Sequence, residues 1–490
     1  MPRSSNHPGD DELEEDEFDV LDADDELDDD DDELDDDDDD DELDDDDDEL
    51  DDDPATAHAG LAVDEGEFDE TIPLALIDQD ALRVLSRLQR NGHEAYLVGG
   101  CVRDLLLGRK PKDFDIATSA HPRQIKRLFR NGRIIGRRFR LVHIVYGQHV
   151  IETSTFRSEP SPTTGDSDLL IVEDNEYGTA EQDARRRDFT VNGLFYDPNS
   201  ETILDHVGGL ADLEAGVLRT IGDPEVRFAE DPVRILRAIK FATRLGFRIE
   251  DATWDAMQTH VDELVRSATP RVAEEILRLL RSGTALGAFR MMRKSGALRV
   301  LLPSIDEFLV AGNHAPEKTE SFWRLLEAVD AEVHAGDPPS NDVLVAALFL
   351  RAIEWQVDQL GARHGAARAD LSSVASEMME SFTNPARLPR RLAERARRII
   401  ANQVRFTQPQ SKRFRPVLFM HGDDFVDSLR LFKLRSAAWG QGWDVYEGWV
   451  ERYRKALALG NAELEEIRAD NRRGRRRRRR RRRGSDDDGD

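Results

Sequence analysis

The segment of residues 97–118 constrains the fold more than any other part of the chain. It reads LVGGCVRDLLLGRKPKDFDIAT. An apolar β-rich run ends at the pair Gly99 and Gly100, a stretch with helical spacing follows, and Gly108 with Pro111 closes that stretch before the run DFDIA. This order of strand, glycine turn, helix, turn and strand predicts a compact α/β unit.

The same segment brings two carboxylates close together. In DFDIA the apolar Phe114 and Ile116 alternate with Asp113 and Asp115, so a strand directs both aspartates to one face. Spacing alone does not decide their role, because the D-x-D pattern also recurs through composition within residues 10–53. Beside a glycine turn, where backbone N–H groups approach a phosphate closely, the pair matches a metal-dependent phosphoryl-transfer site.

A third carboxylate is expected on a neighbouring strand, and two residues qualify. Asp188 begins the β-rich run in RRRDFTVNGLFYD, directly after three arginines that suit a triphosphate and the charge on leaving pyrophosphate. Glu152 lies in the strand-like run VIETSTF and is the second candidate. We favour Asp188. The alternative for Asp188 and its arginines is a surface ion-pair cluster, worth roughly 0–1 kcal/mol.

An acidic tract dominates the start of the chain. Residues 10–53 contain 35 acidic residues and no Lys or Arg, whereas the remaining chain carries 66 acidic and 68 basic residues, so this tract accounts for the net charge of −33. Such a tract repels itself and buries little apolar surface, which predicts a disordered tail over residues 1–70. Its expected roles are solubility and contact with protein partners.

Nine consecutive arginines occupy residues 475–483 near the other end of the chain. A mobile cationic segment attracts any polyphosphate chain, because binding releases counterions. We therefore predict a disordered Arg-rich tail over residues 470–490 that binds RNA, with Arg475, Arg478 and Arg481 among its contacts. The acidic tract is expected to compete with RNA for these arginines.

Between the tails, the character of the sequence changes once. Over residues 71–222, β-rich runs such as AYLVG alternate with amphipathic helical stretches, which predicts an α/β head with a mixed sheet. From residue 223 onward helical periodicity takes over, as in the apolar stripe that Gly246 can terminate. We predict an all-α neck over residues 223–283 and an all-α body over residues 284–469.

The cysteine content and the apolar runs limit the class of protein. The single cysteine, Cys101, cannot form an intramolecular disulfide, which suits a reducing compartment, and we expect it to be a small packed residue. The longest apolar run, residues 343–350, is far shorter than the ~20 residues of a membrane span, and the N-terminus lacks a signal peptide. The expected location is cytoplasmic, without membrane contact.

Five segments resemble, in order, the motifs of the class II nucleotidyltransferases, the superfamily of bacterial poly(A) polymerases and tRNA CCA-adding enzymes. These segments are LVGGCVRDLLLG, PKDFDIAT, GRRFRLVHIVYG, RRRDFTVNGLFYD and EDPVRILRAIKFATRLGF. The resemblance is dense over residues 95–247 and thins toward residue 469. It implies a polymerase-beta-like nucleotidyltransferase head, a helical neck, and a body that holds RNA.

The resemblance also implies roles for individual residues. Asp113 and Asp115 resemble the metal-binding catalytic pair, and Asp188 resembles a further active-site carboxylate. The implied cofactor is Mg²⁺, with two ions held by these three residues, and the implied substrate is ATP. The residues expected at the nucleotide are Gly99, Gly100, Arg103 and Arg187 along the triphosphate, Asp231 and Arg234 at the base edge, and Arg237 farther along the same groove.

The pair Asp231 and Arg234 suits a base edge chemically. A carboxylate accepts a hydrogen bond from the adenine amino group, while a guanidinium donates to the adjacent ring nitrogen. Asp231 followed by Pro232 is equally typical of an N-cap and the first residue of a helix. Lys240 departs from the arginine that is common in the family, so no bidentate contact is expected there.

Two features favour the poly(A) polymerase branch of the superfamily. The stretch IIGRRFRLVHIVYG resembles that branch, whereas CCA-adding enzymes usually carry a glycine-rich variant, and an arginine-rich C-terminal extension suits capture of many RNA 3′ ends. The expected activity is template-independent transfer of AMP from ATP to the RNA 3′-hydroxyl, with release of pyrophosphate. The alternatives are tRNA CCA addition and a catalytically inactive RNA-binding protein.

Overall fold

The computed structural model describes most of the chain between the two predicted tails. The described residues are 72–136, 140–158, 177–267, 269–311, 316–364, 373–379, 389–407 and 414–458. The predicted acidic tail, the predicted Arg-rich tail and the proposed RNA contacts Arg475, Arg478 and Arg481 lie outside the described residues.

A seven-stranded mixed sheet forms the first half of the described chain. Its strands are β1 (Ala95–Val98), β2 (Asp115–Thr118), β3 (Gly132–Ile135), β4 (Leu141–Tyr146), β5 (His149–Thr155), β6 (Leu194–Asp197) and β7 (Thr202–Asp205). The strand order is β3-β4-β5-β2-β1-β6-β7, in which β2 runs parallel to β5 and the other neighbours are antiparallel. The prediction of a mixed sheet is confirmed.

Helices cover both faces of this sheet. They are α1 (Gln79–Arg90), α2 (Gly100–Leu106), α3 (Pro122–Leu128), α4 (Ala180–Arg186) and α5 (Gly209–Glu214). Asp78 caps α1 by accepting hydrogen bonds from the backbone N–H groups of residues 80 and 81. The apolar stripe of α1 joins Leu97 and Ile116 in one core, while α4 packs with Val98 and Ala117, the alternate residues of the same strands.

The rest of the described chain is mostly helical. The helices are α6 (Pro224–Glu230), α7 (Arg234–Leu245), α8 (Asp251–His260), α9 (Thr269–Arg281), α10 (Ala285–Ser295), α11 (Ala297–Leu301), α12 (Pro303–Ala311), α13 (Pro316–His334), α14 (Asn341–His364), α15 (373–379), α16 (Arg390–Thr407), α17 (Pro416–Met420), α18 (Phe425–Trp439) and α19 (Trp443–Leu457). Gly246 ends α7 with a φ of 76°, as predicted. Among these described helices, none combines the length and the apolar character needed to cross a lipid bilayer.

A short parallel pairing departs from the all-helical prediction for the neck. Strand β8 (Val217–Leu218) pairs with β9 (Arg248–Ile249), which follows α7. The main hydrophobic core also runs without interruption from Leu97 in the head through Ile239 in α7 to Leu348 in α14. The boundaries at residues 222 and 283 therefore stay predictions. A separate aromatic core forms near the end of the described chain, with Phe406, Phe419, Phe425, Phe432 and Trp449 at its centre.

Candidate active site

A glycine turn joins β1 to α2, and Arg187 packs against it. Gly99 has a φ of 74°, in the left-handed region that favours glycine, and Gly100 is the first residue of α2. A Cβ atom at Gly99 would lie only 2.8 Å from Arg187 Nη1. Arg187 is held there by Asp183, 3.1 Å away, and its guanidinium lies 5.2 Å from the ring centroid of Phe195. Two features predicted at the triphosphate therefore lie side by side.

Asp115 is the first residue of β2, and Asp113 lies two residues before it at the surface. Phe114 and Ile116 are buried, so the predicted alternation is present. Burial is the largest cause that raises the pKa of Asp115, the charge of Glu152 and then that of Asp113 add to it, and Arg187 opposes them, so that the pKa is about 7. The charged form of Asp115 is therefore disfavoured in the folded chain.

Glu152 is the carboxylate that the fold places next to Asp115. The two residues are Cα partners in the parallel pairing of β2 with β5. Neighbouring strands lie about 4.8 Å apart and partners project to the same face of a sheet, so their carboxylates share one surface. His143 on β4 continues the row, with its Nε2 atom 3.7 Å from Glu152 Oε2. Asp113, exposed two residues before Asp115, completes the group of carboxylates that we call the acidic cluster.

Asp188, the favoured third carboxylate, occupies a different environment. Its Oδ2 atom accepts hydrogen bonds from Arg237 Nε at 2.8 Å and lies 2.7 Å from Nη2, and its Oδ1 atom accepts from Phe189 N and Asn192 Nδ2. Burial opposes ionisation, but Arg237 and these hydrogen bonds outweigh it, so the pKa of Asp188 is lowered. Within the described chain, the carboxylate oxygens of Asp113, Asp115 and Asp188 are not gathered within 4.8 Å of one another. The same is true of Asp113, Asp115 and Glu152, so these distances do not decide between Asp188 and Glu152, and the third metal ligand stays a prediction.

Arg103, predicted at the triphosphate, is buried at the junction between head and neck. It is 2 % exposed, it donates to Asp104 Oδ1 at 2.8 and 2.6 Å, and it donates to Asn192 Oδ1. Its guanidinium also lies 5.3 Å from the ring centroid of Phe241 in α7. In this structure Arg103 therefore ties α2 to the neck, a role that its sequence motif did not reveal.

Phe241 is a residue of the junction that the sequence interpretation missed. Its ring faces Arg237 at 5.6 Å and Lys240 at 5.2 Å in addition to Arg103, and Phe189 packs edge-on at 5.8 Å. Cation and aromatic groups three or four residues apart meet on a helix face, so the spacing of Arg237 and Phe241 contained the signal.

The start of α7 differs from the N-cap prediction. The helix begins at Arg234, and Asp231 instead closes α6 and accepts a hydrogen bond from Val233 N at 3.3 Å within the intervening turn. The Asp231 carboxylate forms a two-bond pair with Arg271 of α9, at 3.2 Å to Oδ1 and 2.8 Å to Oδ2. Arg234 donates to the carbonyl of Arg227 at 2.7 Å. Both residues of the predicted base-reading pair are thus held within the neck.

Helix α9 also contacts α7 directly, through Glu275. Glu275, which is buried, lies 2.8 Å from Lys240 Nζ and 3.9 Å from Arg237 Nη1. Burial lowers the pKa of Lys240, and Glu275 opposes that effect. Arg237 therefore stands between two carboxylates, Asp188 from the head and Glu275 from the neck. The predicted groove residue is a link between the two parts of the molecule.

The lone cysteine is a packed thiol, as predicted. Cys101 is 2 % exposed and donates its S–H to the carbonyl of Val98 at 3.3 Å. Burial, with a smaller contribution from the charge of Asp115, raises the pKa of Cys101 to about 12. Because the thiolate is the nucleophilic form, this thiol is inert near neutral pH.

Three family models match consecutive parts of the chain. Residues 95–219 match the poly A polymerase head domain, residues 246–309 match the probable RNA and SrmB-binding site of polymerase A, and residues 365–484 match the polymerase A arginine-rich C-terminus. The first match contains the acidic cluster, and the last contains the nine consecutive arginines of residues 475–483.

Relatives and solved structures agree with these matches. The chain is 38% identical over 346 residues to poly(A) polymerase I of Salmonella typhi, covering 69% of this chain and 74% of that protein, and 39% identical over 326 residues to poly(A) polymerase I of Haemophilus influenzae, covering 64% and 71%. A CCA-adding enzyme of Lactiplantibacillus plantarum is 39% identical over 256 residues, covering 51% and 61%.

Among solved structures, the CCA-adding enzyme of Bacillus stearothermophilus in complex with CTP is 27% identical, with a TM-score of 0.52 over 78% of this chain and 82% of that one. A tRNA nucleotidyltransferase complexed with a primer tRNA and an incoming ATP analog, 22% identical with a TM-score of 0.52, shares the fold over 77% of this chain and 100% of its own. The chain belongs to the poly(A) polymerase I family, within the superfamily that also contains the CCA-adding enzymes.

Proposed function

We propose that the protein is a template-independent poly(A) polymerase that transfers AMP from ATP to the 3′-hydroxyl of RNA and releases pyrophosphate. The observation that carries this proposal is the acidic cluster of Asp113, Asp115 and Glu152 beside the glycine turn and Arg187. The poly(A) polymerase I relatives, matched over more of the chain than the CCA-adding enzymes, favour polyadenylation over CCA addition.

The chemistry of the acidic cluster fits a divalent cation such as Mg²⁺. Hard oxygen ligands suit Mg²⁺, and a cation would stabilise the charged form of Asp115, whose pKa is raised by burial and then by the charges of Glu152 and Asp113. We propose that Asp113 and Asp115 hold the metal with Glu152 as the third carboxylate, and that Asp188 instead fixes Arg237. When bound, two Mg²⁺ ions would lower the pKa of the RNA 3′-hydroxyl and stabilise charge on the α-phosphate.

The remaining residues act on the nucleotide and the RNA. Gly99 lets the triphosphate approach the backbone, and Arg187 at the same turn offsets charge on the departing pyrophosphate. The 3′-hydroxyl attacks in line, so no covalent enzyme intermediate is required. Asp231 and Arg234 are proposed to read the base edge of ATP.

RNA capture is assigned to the Arg-rich segment of residues 470–490. Its arginines, among them Arg475, Arg478 and Arg481, attract RNA 3′ ends of any sequence through counterion release. Residues 1–70 are proposed to compete for these arginines or to contact protein partners. We propose a role in processing mRNA and other RNAs in the cytoplasm, with which a sequence-independent attraction to RNA is compatible.

Incubation of the purified full-length chain with a generic RNA, Mg²⁺ and each nucleoside triphosphate in turn tests the proposed activity. We expect long extension with ATP alone, and loss of extension in Asp113→Ala with RNA binding retained. Asp255→Ala, at an exposed position on α8, is the matched control and should extend RNA normally. Ordered addition of C, C and A to a tRNA that lacks its end, without extension of generic RNA, would instead identify a CCA-adding enzyme.

A further inference from the structure

The carboxylate of Asp231 is held in place by Arg271, a side chain from another helix, α9. It lies in the turn between α6 and α7, and the fork of Arg271 grips both of its oxygens at 3.2 and 2.8 Å. The Asp231 side chain is 17% exposed and that of Arg271 is 49% exposed, so the fork lies at the rim of the neck. A planar guanidinium in this arrangement fixes the position and plane of the carboxylate, which an ammonium group cannot do.

Helix α9 is itself anchored where it presents this fork. Arg271 and Glu275 are four residues apart, so they lie on the same face of α9. Glu275 binds Lys240 of α7 at 2.8 Å, one turn away from the fork. These two contacts fix the position of α9 against the α6–α7 turn, and the orientation of Asp231 is fixed with it.

The fork leaves Asp231 able to accept another hydrogen bond. A carboxylate has about four acceptor positions. Among the described contacts, Oδ1 receives Arg271 Nη1 and Val233 N, and Oδ2 receives Arg271 Nη2. An ionised carboxylate only accepts hydrogen bonds, so its remaining position matches a base that presents an amino group and rejects one that presents a carbonyl oxygen.

We propose that Arg271 is the positioning residue for base selection, which acts by fixing the ionised carboxylate of Asp231 toward the amino group of adenine and against the carbonyl oxygen of guanine. This inference rests on the base-reading role proposed for Asp231. Without the fork, Asp231 turns freely about its side-chain bonds and GTP competes better with ATP. Arg271 does not contact the reacting atoms in this scheme.

The test compares ATP with GTP, because the two purines differ at this edge. The ratio of kcat/KM for ATP to that for GTP, and the ratio of the equilibrium Kd for GTP to that for ATP, are measured for the full-length chain and its variants. Arg271→Ala is expected to lower both ratios about tenfold or more, which corresponds to the loss of one charge-assisted contact. The KM for RNA is expected to stay within twofold.

Arg271→Lys separates positioning from charge. It keeps the positive charge but not the fork, so it should restore at most part of the selectivity, and it serves if Arg271→Ala folds poorly. Arg299→Ala is the control, since Arg299 pairs with Asp262 at 2.7 Å on an exposed surface. An equal loss for ATP and GTP in Arg271→Ala, or full selectivity in that variant, would overturn the inference.

A double variant distinguishes this inference from the proposed function. Asp231→Asn alone should lower the ATP-to-GTP ratio, and adding Arg271→Ala should lower it no further, because both changes act through one carboxylate. Additive losses would overturn the role of Arg271 alone. Unchanged selectivity in Asp231→Asn would remove the base-reading role of Asp231 and the inference with it, whereas absence of any AMP incorporation by the unmodified chain would contradict the proposed activity itself.

Discussion

Asp115 and Asp188 are both aspartates of the predicted catalytic set, yet their surroundings act on their charges in opposite directions. Asp115 is partly buried and its pKa is raised to about 7, whereas Asp188 is more deeply buried and its pKa is lowered. If burial alone set these pKa values, the more deeply buried Asp188 would have the higher one. At Asp115 burial dominates and Glu152 adds to it, whereas at Asp188 the ion pair with Arg237 and the hydrogen bonds outweigh burial.

The comparison separates two uses of a carboxylate. At Asp115, burial and the adjacent charges of Glu152 and Asp113 disfavour the ionised carboxylate, and a bound cation would stabilise that charged form. The cluster at Asp188 is satisfied by Arg237, Asn192 and a backbone N–H, which is the condition for joining two parts of a fold. A carboxylate in a catalytic motif is therefore assigned by its partners and not by the motif alone.

The largest effect is expected at Asp115. Asp115→Asn removes a proposed metal ligand and should lower AMP incorporation by about 10³-fold or more, because metal stabilisation of transition-state charge is worth several kcal/mol. The same change should leave thermal stability in EDTA unchanged or raised, since it removes a carboxylate whose charged form is disfavoured. Steady-state kinetics and a melting curve measure both. A marked loss of stability with activity retained would show that Asp115 has a structural role and is not a metal ligand.

The next largest effect is expected on stability at Asp188. Asp188→Ala leaves Arg237 and Asn192 without their acceptor and should lower the free energy of unfolding by about 3 kcal/mol, the low end for a broken buried pair, because Arg237 is a third exposed. Denaturant unfolding measures this. Asp262→Ala, which breaks an exposed pair, should cost under about 1 kcal/mol. Loss of metal affinity without loss of stability would restore Asp188 as a metal ligand.

A smaller effect on catalysis is expected at Glu152. Glu152→Gln keeps the shape of the side chain but removes one proposed ligand charge, and we expect AMP incorporation to fall about 10- to 100-fold with a weaker apparent affinity for Mg²⁺. Titration of activity against Mg²⁺ concentration measures it. Glu94→Gln, at an exposed glutamate just before β1, is the matched control. Normal Mg²⁺ dependence in Glu152→Gln would exclude Glu152 from the metal site.

The smallest effect is expected from pH. The pKa of Asp115 in the folded chain is about 7, above its ordinary value of 3.8, so protons compete with Mg²⁺ and its apparent affinity should weaken as pH falls from 8 to 6. In EDTA the sign reverses: a raised folded pKa contributes stability at low pH that is lost as pH rises through about 7. Glu152→Gln should move both transitions to lower pH. Transitions that stay in place would refute the coupling.

Local features of the fold were predictable from the sequence. The alternation at Phe114 and Ile116, the glycine turn at Gly99 and the helix end at Gly246 each depend on neighbouring residues, and the structure contains all three. The mixed sheet of the head and the helical neck followed from hydrophobic periodicity in the same way.

The contacts of the candidate carboxylates were not predictable in this way. Glu152 adjoins Asp115 only because β5 pairs in parallel with β2. The two partners are 37 residues apart in the sequence. Likewise, the pairing of Asp188 with Arg237 and of Asp231 with Arg271 depends on how α7 and α9 pack. Sequence motifs identify which residues are charged, and the tertiary fold decides which charges meet.

The ring of Phe241 has a practical consequence. Arg103 of α2 and Arg237 and Lys240 of α7 all lie against this ring. Any rotation of the neck against the head would therefore change the charge next to it. A tryptophan introduced in its place would convert that change into a shift of emission wavelength. The junction thus offers a position for an optical reporter of the contact between head and neck, which can be read independently of turnover.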